Sequence, residues 1–504
     1  MLRHKLPSAG IIPIFPASLQ NPGKSGMIRT ETVNPERTRE EVKKGLAFLE
    51  RRAAHIFAFL IPFAILLTVY ARFGVAPFGE KSVLIADMNS QYADFFNSLR
   101  DVLTGQSPGG FFYSWSAGPG LNYAGILAYY LASPFSFIVL LFPKGNITEA
   151  LFLMILLKVA SSGVTFSVLA EKKFGLSPAL RVVFSCLYAL SSYSVVYTTS
   201  PMWLDAVILL PLLILGLDRL IAGKSVLPFA VTLALTFVTN FYISYMVGIF
   251  SFFYLIAEYA GTKRAGSRFV PVFIRFMLTA AVSLCAAGIV LLPAFYSIFD
   301  SYRTISYFSL GLTKSFGAAD LFSKLFMGSY ESLTYGTPNI YCGVPTVFLT
   351  LLYFLNTRIS RRRKLCSAAV LLAFVFSFVF DEPNLAWHMF RVPTWFPFRY
   401  SFLFIFYCLS LACECVRERA GIKLPAVGVS AALLAAVLFW LDRVKFAYLT
   451  RAEIFINLAF LLIWAVLTAL YAADLKAVPT AAAAKALAVV FVSGELFFST
   501  ASNI

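Results

Sequence analysis

Apolar residues run along this chain in blocks of about 20, the length needed to cross the hydrocarbon core of a bilayer as a helix, separated by short polar loops. The blocks fall near 55–71, 148–169, 178–197, 203–221, 226–239, 243–260, 270–295, 341–355, 365–380, 399–416, 424–441, 452–471 and 482–500. That pattern predicts an all-α polytopic membrane protein of about 13 transmembrane helices. The block at 226–239 is short and reads as a bent or broken helix. Ahead of the blocks, residues 1–54 are polar and end in the charged run Glu36 to Arg52. Their apolar patch at Ile11 to Phe15 is too short for a signal peptide, so they read as a disordered or interfacial cytoplasmic arm. The rest, 55–504, reads as one transmembrane domain with three substantial outer segments, 72–147, 296–340 and 381–398.

Residues 124–142, AGILAYYLASPFSFIVLLF, are apolar enough to span but carry Pro134 at their centre. Charge decides how to read them. If the segment does not cross, the basic loops at Lys172/Lys173, Arg219/Lys224, Lys263/Arg264/Arg268, Arg358 to Lys364 and Arg417/Arg419/Lys423 all face the cytoplasm. The intervening loops at 198–202 and 240–245 hold no Lys or Arg. The positive-inside rule therefore favours a re-entrant or interfacial segment, a cytoplasmic N-terminus and an outer C-terminus. One outer loop runs against the pattern, with Arg443, Lys445 and Arg451 between two blocks.

Composition agrees with the blocks. Of 504 residues, 59% are hydrophobic and 13% charged, about half the charged share of an ordinary soluble domain. The formal charge of +17 sits in the short loops, so topology accounts for it and a nucleic-acid partner is not needed. The seven cysteines lie mostly in apolar surroundings, and the C-x-C of Cys413 and Cys415 has no second thiol or histidine pair to complete a zinc set. His4, His55 and His388 are scattered. No metal and no redox cofactor is expected.

Candidate chemistry gathers on the outer side. The first outer segment opens with IADMNSQYADFF, holding Asp87, Asn89, Gln91, Tyr92 and Asp94 directly after the first span. Helical spacing puts Asp87, Gln91 and Asp94 on one face, with Asn89 around the side. Asp94 and Asp101 read most simply as a solvated face. Asp87 stands among apolar neighbours, and a carboxylate there can act as a base on a hydroxyl held against it. The segment continues into an aromatic and glycine-bearing stretch, with Tyr113, Trp115, Gly118 and Gly120. Farther on, Trp203 and Asp205 mark the outer end of a span, where a carboxylate needs a partner or a water-filled cavity. Asn240 and Tyr242 lie at another outer helix end and read first as a turn with a cap. Arg399 enters its span from the outer side, against the positive-inside rule, and there a guanidinium must snorkel or meet an anion. A phosphate is the natural anion, because guanidinium bonds its oxygens in bidentate fashion.

Taken in order, Asp87-Met-Asn-Ser-Gln91-Tyr92, Gly-Pro-Gly at 118–120, Tyr-Leu-Ala-Ser-Pro-Phe at 130–135, Met-Trp-Leu-Asp at 202–205, Asn-Phe-Tyr at 240–242 and Phe-Pro-Phe-Arg-Tyr at 396–400 resemble the YfhO family of bacterial membrane proteins. The resemblance runs from about residue 55 to the end. It implies a glycosyltransferase of the GT-C class, a GT-C-like bundle with a helical first outer loop, working on the outer face of the bacterial cytoplasmic membrane. The donor implied is a polyprenyl-phosphate sugar, and the acceptor a cell-envelope polymer such as teichoic or lipoteichoic acid. In that class a carboxylate of the first outer loop is the catalytic base, which here corresponds to Asp87. Arg399 is the expected phosphate-binding cation, with Arg391 and Arg303 in reserve. Asn89, Gln91, Tyr92, Trp203, Asp205, Asn240 and Tyr242 are the expected substrate-binding residues. YfhO-type proteins typically continue into a large extracytoplasmic C-terminal region, whereas this chain stops at Ile504.

Two other readings stay open at this point. A transporter or flippase of lipid-linked sugars would share the membrane body and the phosphate-binding arginine. Such proteins more often break helices near the midplane and show paired repeats, and neither is evident here. A non-catalytic partner of a glycosylation complex would tolerate loss of Asp87.

Overall fold

A computed structural model of the chain describes residues 35–116, 120–262, 268–301, 312–333, 335–473 and 478–503. Of the expected N-terminal arm, residues 1–34 lie outside the described residues, and the chain is helical from Pro35. The chain divides into two compact units, Met1–Leu49 and Glu50–Ile504.

The second unit is mostly helical, with a single two-stranded ladder pairing Tyr113–Ser114 with Leu121–Asn122 among the described residues. Among the described residues, seven helices are long and apolar enough to cross a membrane: Phe48–Arg72, Lys144–Lys172, Phe241–Gly261, Phe269–Ala286, Leu424–Val444, Arg451–Ala472 and Ala483–Ser502. Two bent pairs, Tyr123–Leu131 with Pro134–Leu141 and Pro178–Ala189 with Ser192–Thr199, raise the number to nine if each is one span.

The expected count of about 13 is therefore not reached, and the remaining blocks show why. Hydropathy registers an apolar run whether or not one helix fills it. Leu227–Thr239 has 13 residues and Val344–Leu355 has 12, against the roughly 20 that a straight crossing requires. Ser401–Arg417 has 17, and Arg361–Val379 opens on four basic residues. The block at 270–295 is divided at Ala287 between Phe269–Ala286 and Gly288–Ser301.

The segment with Pro134 folds back sharply. Its two short helices meet at 99°, with Ser133 capping the second by accepting the Phe135 amide at 3.3 Å. A bend of that size breaks the run where proline removes a donor and fixes its φ. The turn is anchored from within the bundle. Ser133 Oγ donates to Asp205 Oδ1 at 2.8 Å, and Lys158 Nζ donates to Asp205 Oδ2 at 2.6 Å and to the Pro201 carbonyl at 2.9 Å. The Lys158 and Asp205 side chains are 1% and 4% exposed, so this ion pair is fully withdrawn from solvent.

Candidate functional site

Five stretches far apart in the sequence meet at one end of the bundle. After the first span the chain makes a tight loop and reaches Ala86, whose φ of 51° lies in the left-handed region. Asp87 follows, just ahead of a single π-helical turn, Met88–Tyr92, and makes no side-chain capping bond to it; the turn runs into the helix Ala93–Leu103. That turn rotates Tyr92 inward, where its hydroxyl donates to Asp87 Oδ2 at 3.3 Å. Burial, reinforced by the Asp87 carboxylate, pushes the Tyr92 hydroxyl well above its ordinary range, so it stays a donor. Asn89 is exposed and Gln91 half-buried on the same turn.

From Tyr92 a line of rings leads to the arginine. Tyr92 packs on Tyr130 with ring centres 5.3 Å apart, and Tyr130 on Tyr129 at 4.6 Å. The Arg399 guanidinium approaches the Tyr129 hydroxyl at 3.5 Å and donates to the Trp395 carbonyl at 2.9 Å. It lies over the faces of Trp203, Tyr242 and Phe396, at 5.0, 5.2 and 5.9 Å from the ring centres. Cation–π attraction of this kind holds a guanidinium in place without neutralising it. Arg399 has no carboxylate partner among the described residues, and its Nε is buried with no hydrogen-bond acceptor. The result is a fixed, half-buried cation with a vacant donor, which is chemistry suited to an anion.

Two supports keep it there. Asn240 caps the helix Phe241–Gly261 by accepting the Ile243 amide at 2.9 Å, and its amide group donates to the Tyr129 carbonyl at 2.9 Å. The sequence reading of a capped turn at Asn240 thus describes half of what the residue does. His388 links the other side, its Nε2 lying 2.7 Å from the Pro397 carbonyl and its Nδ1 2.7 Å from the Tyr242 hydroxyl. A carbonyl can only accept, so Nε2 carries the proton and Nδ1 accepts from Tyr242. Burial first, and the Arg399 charge second, push the His388 pKa down to about 3, keeping the ring neutral.

Backbone strain is concentrated at the same place. Five non-glycine residues among those described have a left-handed φ, and four of them, Ala86, Met389, Phe390 and Phe396, lie in the two loops that carry Asp87 and Arg399. Such conformations cost on the order of 1–3 kcal/mol each and tend to persist at functional sites.

The expected site residues therefore divide. Asp87, Tyr92, Trp203, Asn240, Tyr242 and Arg399 come together through the contacts above. Asp205 lies beneath them in its pair with Lys158. Arg391 is exposed on the same loop as His388, and Arg303 and Gly118 lie outside the described residues. Asp94 is exposed, and Asp101 pairs with Lys144 at 2.6 Å. Sequence reasoning missed Tyr129, Tyr130, His388 and Lys158. The signal for Lys158 was present, as a lone cation inside the apolar run 148–169. The two tyrosines were indistinguishable from interfacial aromatics.

With this geometry in place, the comparison with known families is decisive at the family level. The profile described as bacterial membrane protein YfhO matches residues 58–504. The chain belongs to the YfhO family. It is a bacterial multi-pass membrane protein, and its YfhO region contains every residue of the site described above. No curated protein and no solved structure matches the chain.

Proposed function

We propose that this YfhO-family protein is a membrane glycosyltransferase of the GT-C type. It moves a sugar from a polyprenyl-phosphate donor to a hydroxyl of a cell-envelope polymer, such as teichoic or lipoteichoic acid, on the outer face of the bacterial cytoplasmic membrane. The observation that carries the reading is Arg399, a cation held over three aromatic faces with no carboxylate partner among the described residues. An acidic residue would cancel its charge, and an anionic substrate group completes it instead.

The chemistry follows from the groups on either side of the tyrosine line. The acceptor oxygen attacks the anomeric carbon from the face opposite the phosphate. The bond from that carbon to the phosphate oxygen breaks, and the electron pair leaves with the phosphate. The acceptor proton passes to Asp87, and the configuration inverts. A phosphate leaving group needs little protonation, so the catalytic demand falls on one base and one cation. Arg399 meets the charge that grows on the departing phosphate, with Arg391 and Arg303 as further candidates from the outer loops. The half-buried ring of Tyr242 suits the apolar face of a sugar ring or the first isoprene units, the buried Trp203 and Tyr92 act on the substrate by holding Arg399 and Asp87 in place, and Asn89 and Gln91 supply hydrogen bonds to sugar hydroxyls. Asp205 shapes the site through the Ser133 turn.

The test is sugar transfer from a synthetic polyprenyl-phosphate donor by purified wild type, Asp87→Asn and Arg399→Gln, with thermal stability measured alongside. Transfer by wild type that is lost in both variants at unchanged stability is the expected result. Transfer that survives Asp87→Asn removes that carboxylate from the mechanism. Lipid movement between leaflets without transfer from any donor favours a flippase.

A further inference from the structure

At the opposite end of the bundle lies a second site of a different character. The helix Phe241–Gly261 has Tyr242 at its start and Gly261 at its end, and Arg399 precedes the helix Ser401–Arg417. At 1.5 Å per residue these helices separate the two ends by roughly 25–30 Å, about one hydrocarbon thickness. Gly261, Arg417 and the start of Arg361–Val379 border a cleft of about 620 Å³ there.

The floor of the cleft is a closed set of ion pairs. Arg363 meets Glu258 at 2.8 Å and Glu414 at 3.1 Å, while Lys173 meets Asp218 at 2.6 Å and Glu258 at 3.8 Å. Tyr254 closes the ring by accepting from Lys173 at 2.6 Å and donating to Asp218 at 2.9 Å. With two cations and three carboxylates, the set leaves one negative charge in excess at the floor.

The rim carries the opposite excess, three arginines against Glu418. Arg358, Arg362 and Arg417 line the cleft and are exposed. Arg358 and Arg362 make no ion pair among the described residues, and Arg417 reaches Glu418 only at 3.6 Å. The helix beginning at Arg361 adds to the imbalance. Its first residues are Arg361, Arg362, Arg363 and Lys364, and its first turn holds no acidic residue. Cations at a helix N-terminus oppose the macrodipole, which favours negative charge there. Ser360, also on the cleft wall, caps this terminus by accepting the Arg363 amide at 3.2 Å. Three forked donors and a helix N-terminus thus converge on an open volume, with Glu418 the one carboxylate beside them at the rim among the described residues.

We propose that this cleft binds a phosphate group, supplied by the headgroup of an anionic lipid in the leaflet on that side. The position at helix ends suits a headgroup, and basic clefts between membrane helices bind such headgroups through the same donors. The site is independent of the transferase reading, since it shares no residue with the Arg399 end.

The test compares wild type with Arg358→Gln/Arg362→Gln/Arg417→Gln, and with a control that removes three exposed cations outside the cleft, Lys172→Gln/Arg219→Gln/Lys224→Gln. Each is reconstituted in nanodiscs of phosphatidylcholine with or without phosphatidylglycerol, and thermal stability and retained lipid are measured. Phosphatidylglycerol is expected to raise the midpoint of wild type and of the control. The cleft variant should lose that shift and retain the anionic lipid at least tenfold more weakly. Inorganic phosphate or pyrophosphate that reproduces the shift in phosphatidylcholine alone assigns the site to a soluble phosphate. No shift with either ligand, or an equal loss in the cleft variant and the control, overturns the proposal.

Discussion

Replacing Asp205 by asparagine is the most informative single perturbation of this fold. The carboxylate takes a charge-assisted bond from Lys158 at 2.6 Å and a second bond from Ser133 at 2.8 Å, all out of contact with solvent. An amide in its place keeps the shape and one acceptor but leaves the Lys158 ammonium without its counter-charge. Breaking a buried pair by removing one partner costs about 3–5 kcal/mol. Polar interactions inside membrane proteins average less, so about 3 kcal/mol is the fair expectation, a fall of roughly 100-fold in the folded-to-unfolded ratio. The assay is unfolding by SDS titration in mixed micelles. Lys158→Met in the same chain removes the orphaned cation, and the double variant is expected to recover most of the loss, because a buried pair exchanged for apolar volume is often neutral. Sugar transfer measured on the double variant then separates two roles. Recovery of stability together with transfer makes Asp205 an anchor for the Ser133 turn. A single variant that costs under about 1 kcal/mol would refute the argument that this pair holds the turn in place.

Other consequences are as direct. Arg399→Gln should slow transfer by about 10²–10³, while Arg399→Lys should restore only part of it, since an ammonium lacks the planar fork and stacks poorly on Trp203 and Tyr242. His388 has its pKa lowered from 6.5 to about 3, so the folded state binds fewer protons than the unfolded one between those values. Its contribution to stability is fully present above the unfolded pKa and is lost as pH falls, by up to about 3 kcal/mol at about pH 4.5. An acid titration of unfolding checks this, and His388→Gln should flatten the curve in that window. Asn240→Ala removes a helix cap and leaves the Tyr129 carbonyl without its donor, so a loss of about 2–3 kcal/mol by SDS unfolding is expected.

Much of this arrangement was legible in the sequence, for reasons that can be named. Arg399 stood out because it broke the charge rule for its side of the membrane, and Asp87 because it was a carboxylate among apolar neighbours just after a span. Each is a local anomaly that a linear reading can detect. Tyr129 and Tyr130 broke no rule, since aromatics at a membrane interface are expected, and only the bend at Pro134 turns them inward. Lys158 was visible as a lone charge, but its partner lies 47 residues away, and no spacing predicts a meeting over that distance. The helix count read from the sequence exceeds the seven to nine candidate spans of the structure for a related reason. Apolar composition is continuous through Ala287 and through the run ending at Thr239, whereas helix length depends on where the backbone hydrogen bonds stop.

The buried pair and the half-buried cation belong to one design. Asp205 and Trp203 lie on the first turns of the same helix, Pro201–Ile221, with the carboxylate directed to Lys158 and the indole to Arg399. The same carboxylate holds Ser133, which fixes the bend that follows Tyr129 and Tyr130. A charge inside the bundle is tolerated where it is neutralised, and a charge at the rim is left open where a substrate can neutralise it. The helix therefore fixes the aromatic surroundings of Arg399 from both sides while leaving the guanidinium itself unneutralised. A change at Lys158 should accordingly reach the Arg399 site through the position of the tyrosines, with no change in the net charge around the guanidinium. Transfer by the Lys158→Met/Asp205→Asn chain should then show a raised KM for the donor more than a lowered kcat, because Arg399 and Asp87, the groups proposed to act on the departing phosphate and the acceptor, remain in place.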